Sequence, residues 1–276
     1  MTRVPAGAYP REDGVPRLLR SVVAYVDLLG TSVHASDENA QVTLQRLDAA
    51  LRRARRQSDI DDGLSWFHTS WFSDNLSICA PLPHPNHVGD RSFEESSLGF
   101  VLVTLMWLQF CLAIEGIVLR GGVTVGKHFA DNEVNFGPAL VRAVALEQGA
   151  KPPRVVLDDA VLAVVDDHFK DHFSLTENPF HRELMRAPDG HVFISYLGAV
   201  FEADDMAEAH EMLVLHRAAL AEMLNAHQHG TVDVVDKYEW LVSYHNSFCN
   251  LFFPEWPNVL MPPSDARFTA YAPSSL

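Results

Sequence analysis

The chain has 276 residues, 47% of them apolar and 10% aromatic, which is enough to bury a core and excludes global disorder. Its 21 basic residues stand against 36 acidic ones, a formal charge of −15 that excludes a general nucleic-acid binder, because such a protein needs a basic surface. Three cysteines, Cys79, Cys111 and Cys249, are an odd number without CxxC spacing, and they read as reduced, buried thiols of a cytoplasmic protein rather than as a zinc site.

Residues 1–18 lack the apolar run of a secretory signal and read as a flexible lead-in. Residues 19–28 form a strand too apolar on both faces for a sheet edge, yet Asp27 sits inside it. A helix is expected over 37–57, with Leu44, Leu47 and Leu51 as its apolar stripe. Four arginines (52, 53, 55 and 56) crowd its last turns, where the helix dipole favours cations. Residues 63–80 read as two strands around a tight turn near Ser73, followed by the loop "PLPHPNHVGDRS". The apolar run 98–114 grazes the length of a membrane span, but Gln109 interrupts it, Glu115 ends it and no basic cluster flanks it. It reads as a core helix, with no membrane insertion.

"GIVLRGGVTVG" is a strand broken by Gly121 and Gly122, and "NEVNF" leads into a helix opened by Pro138. "PPRVVLDD" gives another strand and then a short helix from about 158, and 180–198 reads as a hairpin turning at "APDGH". Two helices, about 204–227 and 231–249, precede a Pro-rich C-terminus. The expected fold is α/β, an α+β sandwich with helices covering one face of a mainly antiparallel sheet. The expected division is a catalytic domain over 19–200 and a C-terminal helical extension over 201–276 packed on it.

Asp27 and Asp74 are each the lone acid in a run of strand-forming residues, next to small turn residues. Two carboxylates raised into one site repel unless a dication lies between them, and hard oxygen ligands suit Mg²⁺ or Mn²⁺. Backbone N–H groups of Leu29, Gly30 and Thr31 would then cradle a phosphate. The plainer reading, that Asp27 ends a strand and caps a turn, fits the spacing equally well.

Taken in order, "AYVDLLGT", "FSDNLSICAP", "VLRGGVTVG" and "NFGPALVRAVALE" resemble a class III nucleotidyl cyclase homology domain. Its motifs read F-x-D-I-x-G-[FS], then G-D, then G-x-x-V-N-x-A-x-R. With "KPPRVVLDD" and "DKYEWLVSYHN" added, the chain is similar to the bacterial pyrimidine cyclases of Pycsar antiphage defence, well over residues 20–160 and loosely over the tail helices. The resemblance implies a ferredoxin-like, palm-type fold and conversion of UTP, or CTP, to the 3′,5′-cyclic monophosphate and pyrophosphate. It implies two divalent ions, Mn²⁺ or Mg²⁺, on Asp27, Asp74 and the Leu28 carbonyl. It also implies a head-to-tail homodimer with sites at the interface, and a separate effector activated by the cyclic nucleotide.

The chain departs from the purine cyclases at three places. Ser70 stands where they carry a base-reading lysine, Val141 replaces the ribose-holding asparagine, and Ala145 replaces the arginine that stabilises the transition state. An inactive, nucleotide-binding regulatory protein and an adenylate or guanylate cyclase are the alternatives. Retention of both metal acids favours an active enzyme with relocated cations. Arg142 and Arg120 are the catalytic candidates, ahead of Lys127 and Arg154, and His68, Ser70 and Asn135 are the candidates for reading the base. The remaining histidines, among them His84, His87, His168 and His181, have no metal-ligand spacing.

Overall fold

A computed structural model of the chain describes residues 8–29, 40–57, 67–82, 91–170, 180–227, 230–262 and 267–272. Its centre is the ten-residue strand "LRSVVAYVDL", β3 (Leu19–Leu28), preceded by a small hairpin of β1 (Arg11–Glu12) and β2 (Val15–Pro16). Alternation assigns the two faces of β3. Val22, Ala24, Val26 and Leu28 join the main core, whereas Val23 and Tyr25 face a second, smaller one. The lead-in is docked from residue 8 onward rather than loose, because Tyr9 is buried in the second core and Arg11 pairs with Asp131 at 2.5 Å.

Helix α1 (Ala40–Gln57) follows, and residues 37–39 of the expected helix lie outside the described residues. The hairpin of β4 (His68–Phe72) and β5 (Asn75–Pro81) turns on Ser73 and Asp74. Helix α2 (Arg91–Ile114) then fills the main core; 78% of its 97–114 stretch is buried, as a core helix requires. Next come β6 (Leu119–Ala130), β7 (Asn135–Phe136), α3 (Pro138–Gly149), β8 (Val155–Leu157) and α4 (Asp159–Lys170). A single turn, α5 (Phe180–Glu183), leads into the expected hairpin of β9 (Leu184–Arg186) and β10 (Val192–Ile194), with Gly190 at φ +87° in its turn. The tail holds α6 (Met206–His227), α7 (Val232–Phe252) and a short β11 (Thr269–Ala270).

The main sheet runs in the order β11-β9-β10-β8-β6-β3-β5-β4, with β7 paired to β6 off this path. All its pairings are antiparallel except β6 with β8, which run parallel and are joined by the crossover helix α3. The chain is therefore a mixed α/β protein with a mainly antiparallel sheet and covering helices.

Two expectations are corrected. Helices cover both faces, because α3 packs against β3 and β6 on the side opposite α2. Strand β6 also runs unbroken through Gly121 and Gly122. A Cβ at Gly122 would lie 2.3 Å from Leu146 Cβ, and one at Gly121 would lie 2.6 Å from the Tyr25 carbonyl oxygen. Those glycines admit a neighbouring helix and strand rather than breaking the ladder.

The cysteines follow the expectation: all three are free and buried, and burial pushes their thiols up to about 12. Leu220, Leu241 and Tyr244 of the tail helices share the core that contains Met106 and Phe193.

Candidate active site

Register brings the candidate acids together. Asp27 lies opposite Asn75 on one side and Arg120 on the other, and Asp74 precedes Asn75 in the β4–β5 turn. Ser73 holds a left-handed φ of 55°, a conformation that costs a non-glycine residue about 1–2 kcal/mol. The resemblance places a glycine there. The Trp71 indole N–H donates to the Ser73 carbonyl at 2.8 Å, and the Leu28 N–H donates to the Asp74 carbonyl at 2.9 Å. These bonds fasten the turn to the end of β3. Asp74 is aimed through a relay in which the Tyr25 hydroxyl donates to Asn75 Oδ1 at 2.6 Å and Asn75 Nδ2 donates to Asp74 Oδ1 at 3.0 Å.

Arg120 reaches Asp27 at 3.5 Å and makes a closer ion pair with Glu147 of α3. Arg120 thus bridges two carboxylates, Asp27 and Glu147, and the charge of Asp74 also acts on Asp27. The Asp27 carboxyl is raised to about 6, first by burial, then by the charges of Glu147 and Asp74, with Arg120 opposing. The carboxylate oxygens of Asp27 and Asp74 are hard donors of the kind that Mg²⁺ or Mn²⁺ takes. No cluster of three His, Cys, Asp or Glu side chains with metal-binding geometry occurs among the described residues, so substrate oxygens would have to complete the shell.

The other candidates fall at graded distances along the same face. Ser70 lies opposite Ser77, itself opposite Tyr25, so it is one rung from the acids. Ser77 Oγ is buried without a hydrogen-bond partner among the described residues. His68 lies opposite Cys79, two rungs away; burial draws its pKa down while Asp131 opposes.

Three expectations need correction for a single protomer. Arg142 does not reach the acids, because it makes a two-point pair with Asp158 (3.1 and 2.8 Å), which also accepts from Thr124 at 2.7 Å. Thr124 is four residues along β6 from Arg120, roughly 13 Å away. Asn135 is bound to His128 at 2.8 Å and paired with Ala130, at the far end of β6. The Leu29 N–H is spent on the Val118 carbonyl at 2.9 Å and is not free to cradle a phosphate. Gly30, Thr31, His84 and His87 lie outside the described residues, as does the side chain of His168. Of the lesser cations, Arg154 is buried in a two-point pair with Asp189.

Sequence reading missed Glu147, Tyr25 and Asn75. A signal for Glu147 existed: Ala139, Ala143 and Glu147 follow at four-residue spacing, and all three are buried on one stripe of α3.

No protein-family model and no curated protein matches the chain. Among solved structures it is similar to the monomeric guanylyl cyclase domain of a rhodopsin–guanylyl cyclase fusion protein from the aquatic fungus Blastocladiella emersonii. That likeness has 12% identity and a TM-score of 0.44, over 64% of this chain and 95% of the other. It is also similar to a class III adenylyl cyclase-like ATP-binding protein from Pseudomonas aeruginosa, at 14% identity and a TM-score of 0.43, over 60% and 38% of the two chains. An adenylyl cyclase from P. aeruginosa aligns at 10% identity and a TM-score of 0.42, over 55% and 82%.

Proposed function

We propose that the protein is a nucleotidyl cyclase that converts a pyrimidine nucleoside triphosphate, UTP or CTP, to the 3′,5′-cyclic monophosphate. The observation that carries this reading is the gathering of Asp27 and Asp74 at the ends of the central strands, with Arg120 bridging Asp27 and Glu147 beside them. The order of motifs along the chain supports it. Asp27 and Asp74 would hold two divalent ions with the Leu28 carbonyl. When bound, these supply a lowered pKa for the 3′-hydroxyl and neutralise the departing phosphates.

In the reaction the ribose O3′ forms a bond to the α-phosphorus and the bond from that phosphorus to the β-bridging oxygen breaks. Pyrophosphate leaves with the electron pair, and the hydroxyl proton passes to water. Arg120 stabilises charge on the phosphates, and Glu147 holds its guanidinium beside Asp27. The Tyr25–Asn75 relay keeps Asp74 turned to the same point. Ser70 replaces lysine with a small polar group suited to a pyrimidine edge.

A head-to-tail homodimer accounts for the candidates stranded at the far end of the face. Phe72, 81% exposed, flanks the acid end, while Phe136 and Val141, at 65% and 69%, flank the end with Asn135 and Arg142. Pairing one end against the other would cover these groups and bring Arg142, whose side chain is 55% exposed, to the partner's acids. The product would serve as a second messenger in antiphage defence, read by a separate effector, in a cytoplasm that keeps the three thiols reduced.

The losses at Ser70, Val141 and Ala145 favour one other reading, a nucleotide-binding regulatory protein without turnover. Incubation with each of the four ribonucleoside triphosphates and Mn²⁺ separates the two. Cyclic UMP or cyclic CMP is expected, whereas binding without turnover of any triphosphate would establish the regulatory reading.

A further inference from the structure

Beyond Arg120, away from the β4–β5 turn, lies a cleft of about 490 Å³. Its walls are Arg120 from β6, Lys151 from the loop after α3, and Asp233, Asp236, Lys237 and Trp240 from α7. The volume is in the range of small-ligand sites. Two features set the chemistry. Among the described residues, neither Lys151 nor Lys237 has a carboxylate within ion-pair distance. The lining also carries no net negative charge in a chain of formal charge −15, because Lys151 and Lys237 balance Asp233 and Asp236 and Arg120 is paired with Glu147.

One rim is rigid. The Trp240 indole is packed edge-on against Phe193 at 5.3 Å and Phe268 at 5.2 Å, and the Arg154 guanidinium lies 5.9 Å from its ring. Asp233 sits in the first turn of α7, where the helix N-terminus offsets its charge.

Arg120 is common to both places. One of its Nη2 contacts is Asp27, and the same side chain lines the cleft, while its Nε has no hydrogen-bond partner among the described residues. A triphosphate whose α-phosphate sits at Asp27 and Asp74 has a tail that must run toward cations. Arg142 and Arg154 are already engaged in two-point pairs with Asp158 and Asp189. We infer that this cleft receives the β- and γ-phosphates of the substrate and then the pyrophosphate, with Lys151 and Lys237 as its binding cations beside Arg120. The inference rests on the proposed cyclase reading and extends it: the C-terminal helix α7 becomes part of the substrate site.

The test uses the full-length protein and inorganic tripolyphosphate as the probe, titrated by calorimetry at fixed ionic strength. Both lysines lie outside ion pairs among the described residues, so Lys151→Ala and Lys237→Ala are expected to fold, which circular dichroism checks. The double variant should bind tripolyphosphate at least about tenfold more weakly than the wild type, and Lys237→Arg should restore binding. In turnover the same variants should raise the KM for the triphosphate more than they lower kcat. Equal tripolyphosphate binding by wild type and double variant, or none by the wild type, would overturn the inference and leave the carboxylate site standing. Lysine-dependent tripolyphosphate binding in a protein that turns over no triphosphate would keep the cleft as a polyphosphate site and overturn the cyclase reading instead.

Discussion

Asp27 is held at a disadvantage by its neighbours. Burial, Glu147 and Asp74 lift its carboxyl to about 6, so the folded chain holds that proton more tightly than the unfolded chain does. Stability therefore falls as pH rises through about 6, where the unfolded chain has already shed the proton and the folded one must follow. A dication reverses this by giving the charged form a partner. Mn²⁺ affinity, read by electron paramagnetic resonance, should accordingly drop about tenfold per pH unit below pH 6 as the proton competes. An affinity flat from pH 7 to pH 5 would contradict the assignment. Asp27 and Asp74 were legible because an acid in an apolar strand has to be explained, and Arg120 because arginine is unusual on such a strand. For Glu147 the four-residue spacing with Ala139 and Ala143 signalled burial but not its partner, since the pairing with Arg120 exists only once α3 lies across β6.

At the scale of elements, the approach of α3 to the sheet depends on glycine. The sequence reads Gly121–Gly122 as an interruption because glycine weakens a strand. The structure uses the missing side chains to bring the Leu146 Cβ, the Ala143 carbonyl and the Tyr25 carbonyl into contact distance. Gly122→Ala would overpack this junction and should destabilise the fold by about 1–3 kcal/mol or more. Thermal denaturation checks it, and an unchanged midpoint would mean that α3 sits elsewhere.

A second junction joins α6 to α7. His216 and His245 share one proton between their Nδ1 atoms at 3.0 Å. His216 Nε2 meets the Tyr196 hydroxyl at 2.8 Å, and His245 Nε2 donates to the Val259 carbonyl at 2.9 Å. Burial holds both imidazoles below their ordinary range, His245 near 4. The unfolded chain takes up those protons first, so stability is present above about pH 6.5 and is lost as pH falls toward 4. The melting temperature should fall over this interval more steeply in the wild type than in His245→Gln, and equal slopes would contradict the shared-proton arrangement. Nothing in the spacing of these two histidines announced the contact, because it requires the antiparallel packing of both helices.

Across the whole molecule, the antiparallel character of the sheet followed from alternation and turn chemistry, but its strand order did not. β8 joins β6 in parallel across the α3 crossover, and β11 closes the far edge from the end of the chain. The same non-local order sets the two ends of the functional face apart, with Asp27, Asp74 and Arg120 at one and Asn135 with His128 at the other. In the proposed head-to-tail pair of chains these two ends would meet, and the exposed Phe72, Phe136 and Val141 would be covered there.

The central claim is that Asp27 and Asp74 are the metal-holding pair of a cyclising enzyme. It is tested most directly by measuring pyrophosphate and cyclic pyrimidine nucleotide together, by mass spectrometry, in Mn²⁺ with UTP or CTP. The wild type should release the two products in equal amounts, and Asp27→Ala and Asp74→Ala should each lose both while remaining folded. Equal turnover by either variant, or pyrophosphate without a cyclic product, would contradict the account.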